Sequence, residues 1–353
     1  MATNRRYDID WIRVIAIGLL LIYHIAIGFQ SWGIMIGFIT NEKPWTSLWI
    51  PMAMLNVWRI PLLFFVSGMG IYFAMQSKNW RQLLTDRLMR IFLPFIFGMF
   101  VIVPVHMYIF RDYYNFTQVY DLNNPGHLWF LGNIFVYVLL FSPLFIYLKN
   151  HQEGVLTQSI KKVFGNAAGL IIVIITFVLE VVVFKPNPYE LYAMTWHGFF
   201  LGLFAFFFGF CFVLSGEPFL KLINKWRWIF LIIAFTNYVI RVAGIKLWGA
   251  EYLIPVESNL WIFSVLAFGN RYLNHSGKAL SYLSQAAYPV YIIHMIFLYA
   301  ASWLIFPMEI DVHVKFILVL TFTVGGCLGF YELFIRRWKY VRVLFGLKSE
   351  QRV

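Results

Sequence analysis

The amino-acid sequence predicts an all-α, polytopic integral membrane protein with about ten transmembrane helices and both termini cytoplasmic. Three observations carry this. Of 353 residues, 61% are hydrophobic and only 12% charged, whereas an ordinary soluble domain has roughly 25% charged residues. Apolar stretches recur from residue 10 to residue 335, each near the length of about 20 residues that a bilayer core requires. Lys and Arg fall in alternate connections, as expected where cytoplasmic loops retain positive charge.

The spans read in order are 10 to 30, 52 to 75, 88 to 110, 127 to 148, 167 to 184, 196 to 215, 227 to 247, 255 to 270, 283 to 306 and 312 to 335. The first follows Arg5 and Arg6 as in a signal peptide. It has no small-residue cleavage site, so it is read as a retained first helix. The eighth is the shortest. The connections hold breakers, including Asn123-Asn124-Pro125-Gly126, Lys185-Pro186-Asn187-Pro188 and Ser215-Gly216-Glu217-Pro218. No internal repeat is visible, and one membrane domain is expected over 1–345, with a short basic cytoplasmic tail at 346–353.

Orientation follows from the cations. An inside N-terminus puts Arg5, Arg6, Lys78, Arg81, Arg87 and Arg90 in the cytoplasm, then Lys149, Lys161 and Lys162, then Lys221, Lys225 and Arg227, then Arg271 and Lys278. The tail adds Arg336, Arg337, Lys339, Arg342, Lys348 and Arg352, leaving Lys43, Arg111, Lys185 and Lys246 in or beside outer loops. Acidic residues lean outward: Glu42, Asp112, Asp121, Glu190, Glu251, Glu257, Glu309 and Asp311. The net charge of +12 is thus explained by topology, and no nucleic-acid partner is expected. Cys211 and Cys327 both lie in apolar runs, where a free thiol acts as a small hydrophobe.

Charges inside a span cost at least about 2.5 to 3.5 kcal/mol each on insertion scales, which makes each a functional hypothesis. The first helix carries Asp10, Arg13 and His24. Arg13 and His24 lie close to three whole turns apart, about 16 Å of rise, and share a face at different depths. Asp10 can pair with Arg13; the alternative for Arg13 is snorkelling to the headgroups. Arg87 and Arg90 are neighbours at the cytoplasmic boundary, suited to gripping phosphate bidentately or to serving as ordinary flanking charge. Arg59, His106, His127, Glu180, His197 and Arg241 sit in outer halves of different helices, with Trp58, Trp129 and Trp196 around them. Those rings suit sugars, and equally suit an interfacial belt. His294 and Glu332 can act as helix-to-helix hydrogen-bonding residues.

No Gly-x-Ser-x-Gly elbow, Walker loop, Gly-x-Gly-x-x-Gly or His-Glu-x-x-His occurs. What does occur is an ordered set: Arg13 and His24 with ten residues between, Arg59-Ile60-Pro61-Leu62-Leu63-Phe64-Phe65-Val66-Ser67-Gly68, the Arg87/Arg90 pair, and His127-Leu128-Trp129-Phe130-Leu131. In that order the sequence resembles the acyltransferase-3 membrane O-acyltransferases of bacteria. Tyr331-Glu332, Arg336 and Phe345-Gly346 look most like the branch containing glucan biosynthesis protein C.

The resemblance implies transfer of an acyl group, acetyl or succinyl, from cytoplasmic acyl-CoA to a hydroxyl of an envelope or periplasmic glucan-like carbohydrate at a bacterial inner membrane. It implies a catalytic His24, with donor binding at Arg87 and Arg90, to which the shared helical face adds Arg13. Arg59 is a candidate oxyanion donor and Ser67 a candidate nucleophile. Substrate contacts are expected from His127, Trp129, Glu180, His197 and His294. Acyl-CoA is the expected donor with no metal; the expected partners are membrane lipid and the carbohydrate acceptor, with a homo-oligomer left open. The rival readings are a transporter using intramembrane His, Arg and Glu as a relay, and a sensor or structural protein.

Overall fold

The computed structural model describes residues 5–117, 124–245 and 249–349. Asp121, Asn123, Lys246 and Arg352, with the side chain of Glu251, lie outside the described residues. Among those described, every regular element is helical: α1 (Tyr7–Ile27), α2 (Trp49–Gln76), α3 (Trp80–Tyr114), α4 (Trp129–Asn150), α5 (Val155–Phe164), α6 (Ala167–Phe184), α7 (Trp196–Ser215), α8 (Glu217–Val242), α9 (Ala250–Tyr272), α10 (Lys278–Ile305), α11 (Val312–Phe330) and α12 (Lys339–Leu344).

Nine helical stretches of the described residues are long and apolar enough to cross a membrane. The seventh expected span, 227 to 247, falls largely in α8, which has 26 residues but carries Lys221, Lys225, Arg227 and Arg241 and is not among those nine. Exposed side chains such as Leu179, Val183, Ile232 and Ile317 present apolar surface that lipid covers without cost. One element was not expected: α5 lies in what the sequence reads as an inner loop, burying Thr157 and Phe164.

The chain divides into two compact units. The first comprises Met1–Ala16, Met54–Asp86 and Asn133–Leu280, the second Ile17–Ala53, Arg87–Gly132 and Ser281–Val353. In the first, α2 and α7 cross with their backbones almost touching. A Cβ on Gly68 would lie 1.9 Å from Phe206 O, and one on Gly209 would lie 2.0 Å from Phe65 O. Small residues let helices approach this closely in lipid, where packing replaces the hydrophobic effect. Helix starts are capped: Asn166 accepts from Ala168 N, and Thr195 from Gly198 N.

In the second unit, α3 carries two π turns, Leu88–Phe92 and Gly98–Ile102, just before Pro94 and Pro104. Proline lacks the N–H that would bond the carbonyl four residues back, and its ring presses on that carbonyl. The wider i→i+5 turn relieves the clash without breaking the helix. The connection after α1 folds inward, burying Phe29, Phe38, Ile39 and Asn41. Tyr299 hydroxyl donates to Gly37 O, Thr40 N donates to Tyr114 hydroxyl, and Lys315 Nζ donates to Asn41 Oδ1 at 2.9 Å and Phe306 O at 2.6 Å.

Candidate functional site

The second unit gathers histidines from separate elements. His24 comes from α1, His294 from α10, and His127 from the 3-10 turn Gly126–Leu128 that leads into α4. Gly126 holds that turn at φ +53, and a Cβ there would press on Val103 at 3.1 Å.

His24 Nδ1 lies 2.8 Å from His294 Nε2, with ring planes 4° apart. His294 Nδ1 lies 2.6 Å from Tyr291 O. A carbonyl oxygen can only accept, so the His294 proton sits on Nδ1 and, with neutral rings, its Nε2 holds the lone pair. His24 must then donate from Nδ1. Its own lone pair is thereby placed on Nε2, since the bond made by one ring nitrogen selects the tautomer of the other. The half-buried His24 ring also packs on Phe38, centroids 5.7 Å apart, so it is turned into protein.

His127 stands edge-on to His294, centroids 5.0 Å apart at 85°. Its Nε2 donates to Ile292 O at 3.0 Å, and its carbonyl accepts from Tyr291 hydroxyl at 2.6 Å. These two bonds tie the turn to α10. The buried Nδ1 of His127 has no hydrogen-bond partner among the described residues, and by the same reasoning it is an acceptor. His106, named in the sequence without an assigned role, adds a ring 5.4 Å from His127. Among the described residues, no group of three or more His, Cys, Asp or Glu is placed to hold a metal ion.

Arg87 and Arg90 are half-buried in the second unit, at the π turn Leu88–Phe92. That turn shifts them from strict i,i+3 register. Gly346 explains its place in the C-terminal pattern: its φ is +71, and a Cβ would lie 2.6 Å from Arg90 O. Phe345 packs on Phe97 beside it, centroids 5.5 Å apart. Trp129 is half-buried in this unit.

The first unit holds Arg13, Arg59, Ser67, Glu180 and His197. Arg13 is exposed and paired with Asp10, the geometry of a snorkelling cation. Arg59 is buried at 2% exposure. Ser67 hydroxyl donates to Leu63 O at 2.7 Å, which ties its proton to a carbonyl and not to a base. His197 Nδ1 contacts both Glu180 carboxylate oxygens at 2.8 and 2.9 Å, and its Nε2 meets Tyr189 O at 2.8 Å. With both nitrogens engaged, His197 acts as a strut that ties the connection 185–195 to α6 and α7. Of the three tryptophans, Trp196 is 70% exposed and fits an interfacial belt, whereas Trp58 is 5% exposed and does not. Trp261, Ser258 and Tyr189 of this unit escaped sequence reasoning: in a single sequence, each reads as ordinary filling of a span or loop.

A family model described as an acyltransferase domain, that of the acyltransferase-3 family, matches residues 6–332. No curated protein and no solved structure matches the chain. The match runs through Arg13 and His24, the run Arg59 to Gly68, Arg87 and Arg90, the run His127 to Leu131 and almost the whole chain: the protein belongs to the acyltransferase-3 family.

Proposed function

We propose that this membrane acyltransferase moves an acyl group, acetyl or succinyl, from cytoplasmic acyl-CoA to a hydroxyl of an envelope or periplasmic carbohydrate of glucan type, in the manner of the glucan biosynthesis protein C branch. The observation that supports the reading most is the His24–His294 contact, with His294 anchored on Tyr291 O. It puts a lone pair on His24 Nε2, which is what a general base needs.

In the proposed reaction His24 Nε2 takes the proton of the sugar hydroxyl as its oxygen attacks the thioester carbon. The carbon–sulfur bond then breaks, CoA leaves as the thiol on receiving that proton, and the sugar ester remains. A well-placed base contributes about 10² to 10⁴ in rate. His294 is a positioning residue in this scheme, as the third group of a triad orients its base. Arg87 and Arg90 are assigned to the phosphates of the anionic donor. The Ser67 hydroxyl is engaged by Leu63 O, which favours direct transfer over an acyl-serine.

The test is acyl transfer by purified protein from labelled acetyl-CoA and succinyl-CoA to extracted envelope glycans. Transfer is expected from wild type and should be lost in His24→Ala. Near-normal turnover in that variant removes His24 from the mechanism, and an unlabelled glycan fraction with the wild type favours the transporter reading.

A further inference from the structure

The family match ends at residue 332, and the chain beyond it is built back into the second unit. Just past α11, the Arg336 guanidinium meets both Glu332 carboxylate oxygens at 2.8 and 2.9 Å and lies over the Tyr282 ring. The short helix α12 follows and closes in a full C-terminal cap: Leu347 N donates to Arg342 O and Gly346 N to Val343 O, with Gly346 at φ +71. Those are the two bonds of a Schellman motif, which needs a residue at ease in the left-handed region at this position. Arg342 is only 6% exposed. It donates from Nε to Lys348 O at 2.8 Å and from Nη1 to Arg336 O at 2.9 Å, so one side chain ties the two ends of 336–348 together.

These acceptors are main-chain carbonyls, so the buried cation shapes backbone. Its planar fork offers separate donors to the two carbonyls, which a single ammonium does less well. What the tie fixes is the seat of Gly346. A Cβ there would lie 2.6 Å from Arg90 O and 2.6 Å from Tyr288 Cε1, and the adjoining Phe345, 3% exposed, packs on Phe97. Arg90 O is the carbonyl that would face the missing N–H of Pro94 in an α-turn, and it lies within the π turn Leu88–Phe92. Such a turn holds one residue more than an α-turn, so its relaxation swings the residues before it by about 100° around the axis relative to those after it. The directions of Arg87 and Arg90 therefore depend on keeping it.

We propose that the segment 336–348 is a latch for the donor site: by seating Gly346 against Arg90 O it fixes the π turn that aims Arg87 and Arg90, which makes Arg342 and Gly346 positioning residues for acyl-CoA. The assignment rests on the reading of Arg87 and Arg90 as ligands of the donor phosphates, but not on His24 as the base or on the nature of the acceptor.

The experiment measures, on full-length protein in lipid nanodiscs, the affinity for coenzyme A and amide hydrogen exchange across Leu88–Phe92, with thermal midpoints as the control for folding. Arg342→Ala and Gly346→Ala should each weaken binding about tenfold, the weight of one lost hydrogen bond to a charged group, and each should speed exchange in the turn. Gly346→Ala changes no charge, so its effect is not a Coulombic one. Arg342→Lys, which keeps a donor for one carbonyl, should give part of the affinity back. In an Arg90→Lys background Gly346→Ala should weaken binding no further, because the contact it misaims is already lost. Wild-type affinity in both tail variants overturns the latch, and so does a full additional loss in the Arg90→Lys background, which would mean that the tail acts elsewhere. Arg90→Lys separates the two failures: if it alone weakens binding, the latch falls and the donor assignment stands, whereas unchanged affinity in Arg87→Lys and Arg90→Lys overturns the donor assignment and the part of the tail in it.

Discussion

Replacing His294 by Ala should lower kcat for acyl transfer about 10- to 100-fold, the usual weight of a partner that orients a reacting group from one shell out. That range is about 1.4 to 2.7 kcal/mol of barrier. The hydrogen bond from His24 Nδ1, 2.8 Å to His294 Nε2, accounts for about 0.5 to 1.5 kcal/mol. The remainder is the lost tautomer and ring orientation, because without the His294 acceptor nothing anchored on Tyr291 O selects which His24 nitrogen carries the proton. KM should move little, since His294 acts through His24. His294→Gln is the informative control: its amide oxygen can accept from His24 Nδ1–H, so part of the rate should return, whereas a volume-filling role would be served as well by Leu. The assay is transfer of labelled acyl group by nanodisc-embedded protein, with kcat and KM separated and thermal midpoints compared. A His294→Ala enzyme as fast as wild type, or a His294→Gln enzyme no faster than His294→Ala, would refute the tautomer argument.

Gly68→Ala puts a methyl 1.9 Å from Phe206 O and should cost about 1 to 3 kcal/mol or more through overpacking, seen as a lower thermal midpoint with kcat per folded molecule retained. Arg87→Lys and Arg90→Lys should each raise KM for acyl-CoA several-fold with kcat little changed, because an ammonium cannot make the bidentate phosphate contact; unchanged KM in both would remove them from the donor site. Glu180→Ala breaks the His197 strut, both partners being nearly fully buried. A buried pair that loses one partner costs about 3 to 5 kcal/mol, so expression and melting temperature should fall together.

Most of the helical framework was legible because lipid makes hydropathy and helix formation one signal. The runs 167 to 184 and 196 to 215 coincide with α6 and α7, whose ends are closed by Asn166, Thr195 and Gly216. Ends were misplaced where polar residues continue the helix beyond the apolar run, as at the start of α10, which begins at Lys278 and not at 283. The helix α5 was missed because it is amphipathic and too short to span. At the site, His24, His127 and His294 stood out because a titratable residue in an apolar run is conspicuous. That they meet was not legible, since three elements distant in sequence bring them together. Trp58 was named but left between a sugar contact and the interfacial belt, and Trp261 was missed, because a tryptophan in a span reads the same whether it faces lipid or protein, and only burial separates the two.

The Lys315 anchor bears on the order in which this chain can be built. A lysine in a late-emerging apolar segment is poorly tolerated by hydrocarbon until Asn41 and the Phe306 carbonyl receive its ammonium. The connection after α1 therefore waits, without this tether, through synthesis of nearly everything between. Lys315 thus fastens the α10–α11 hairpin back onto the connection after α1, so loss of α11 should loosen that connection, far away in sequence.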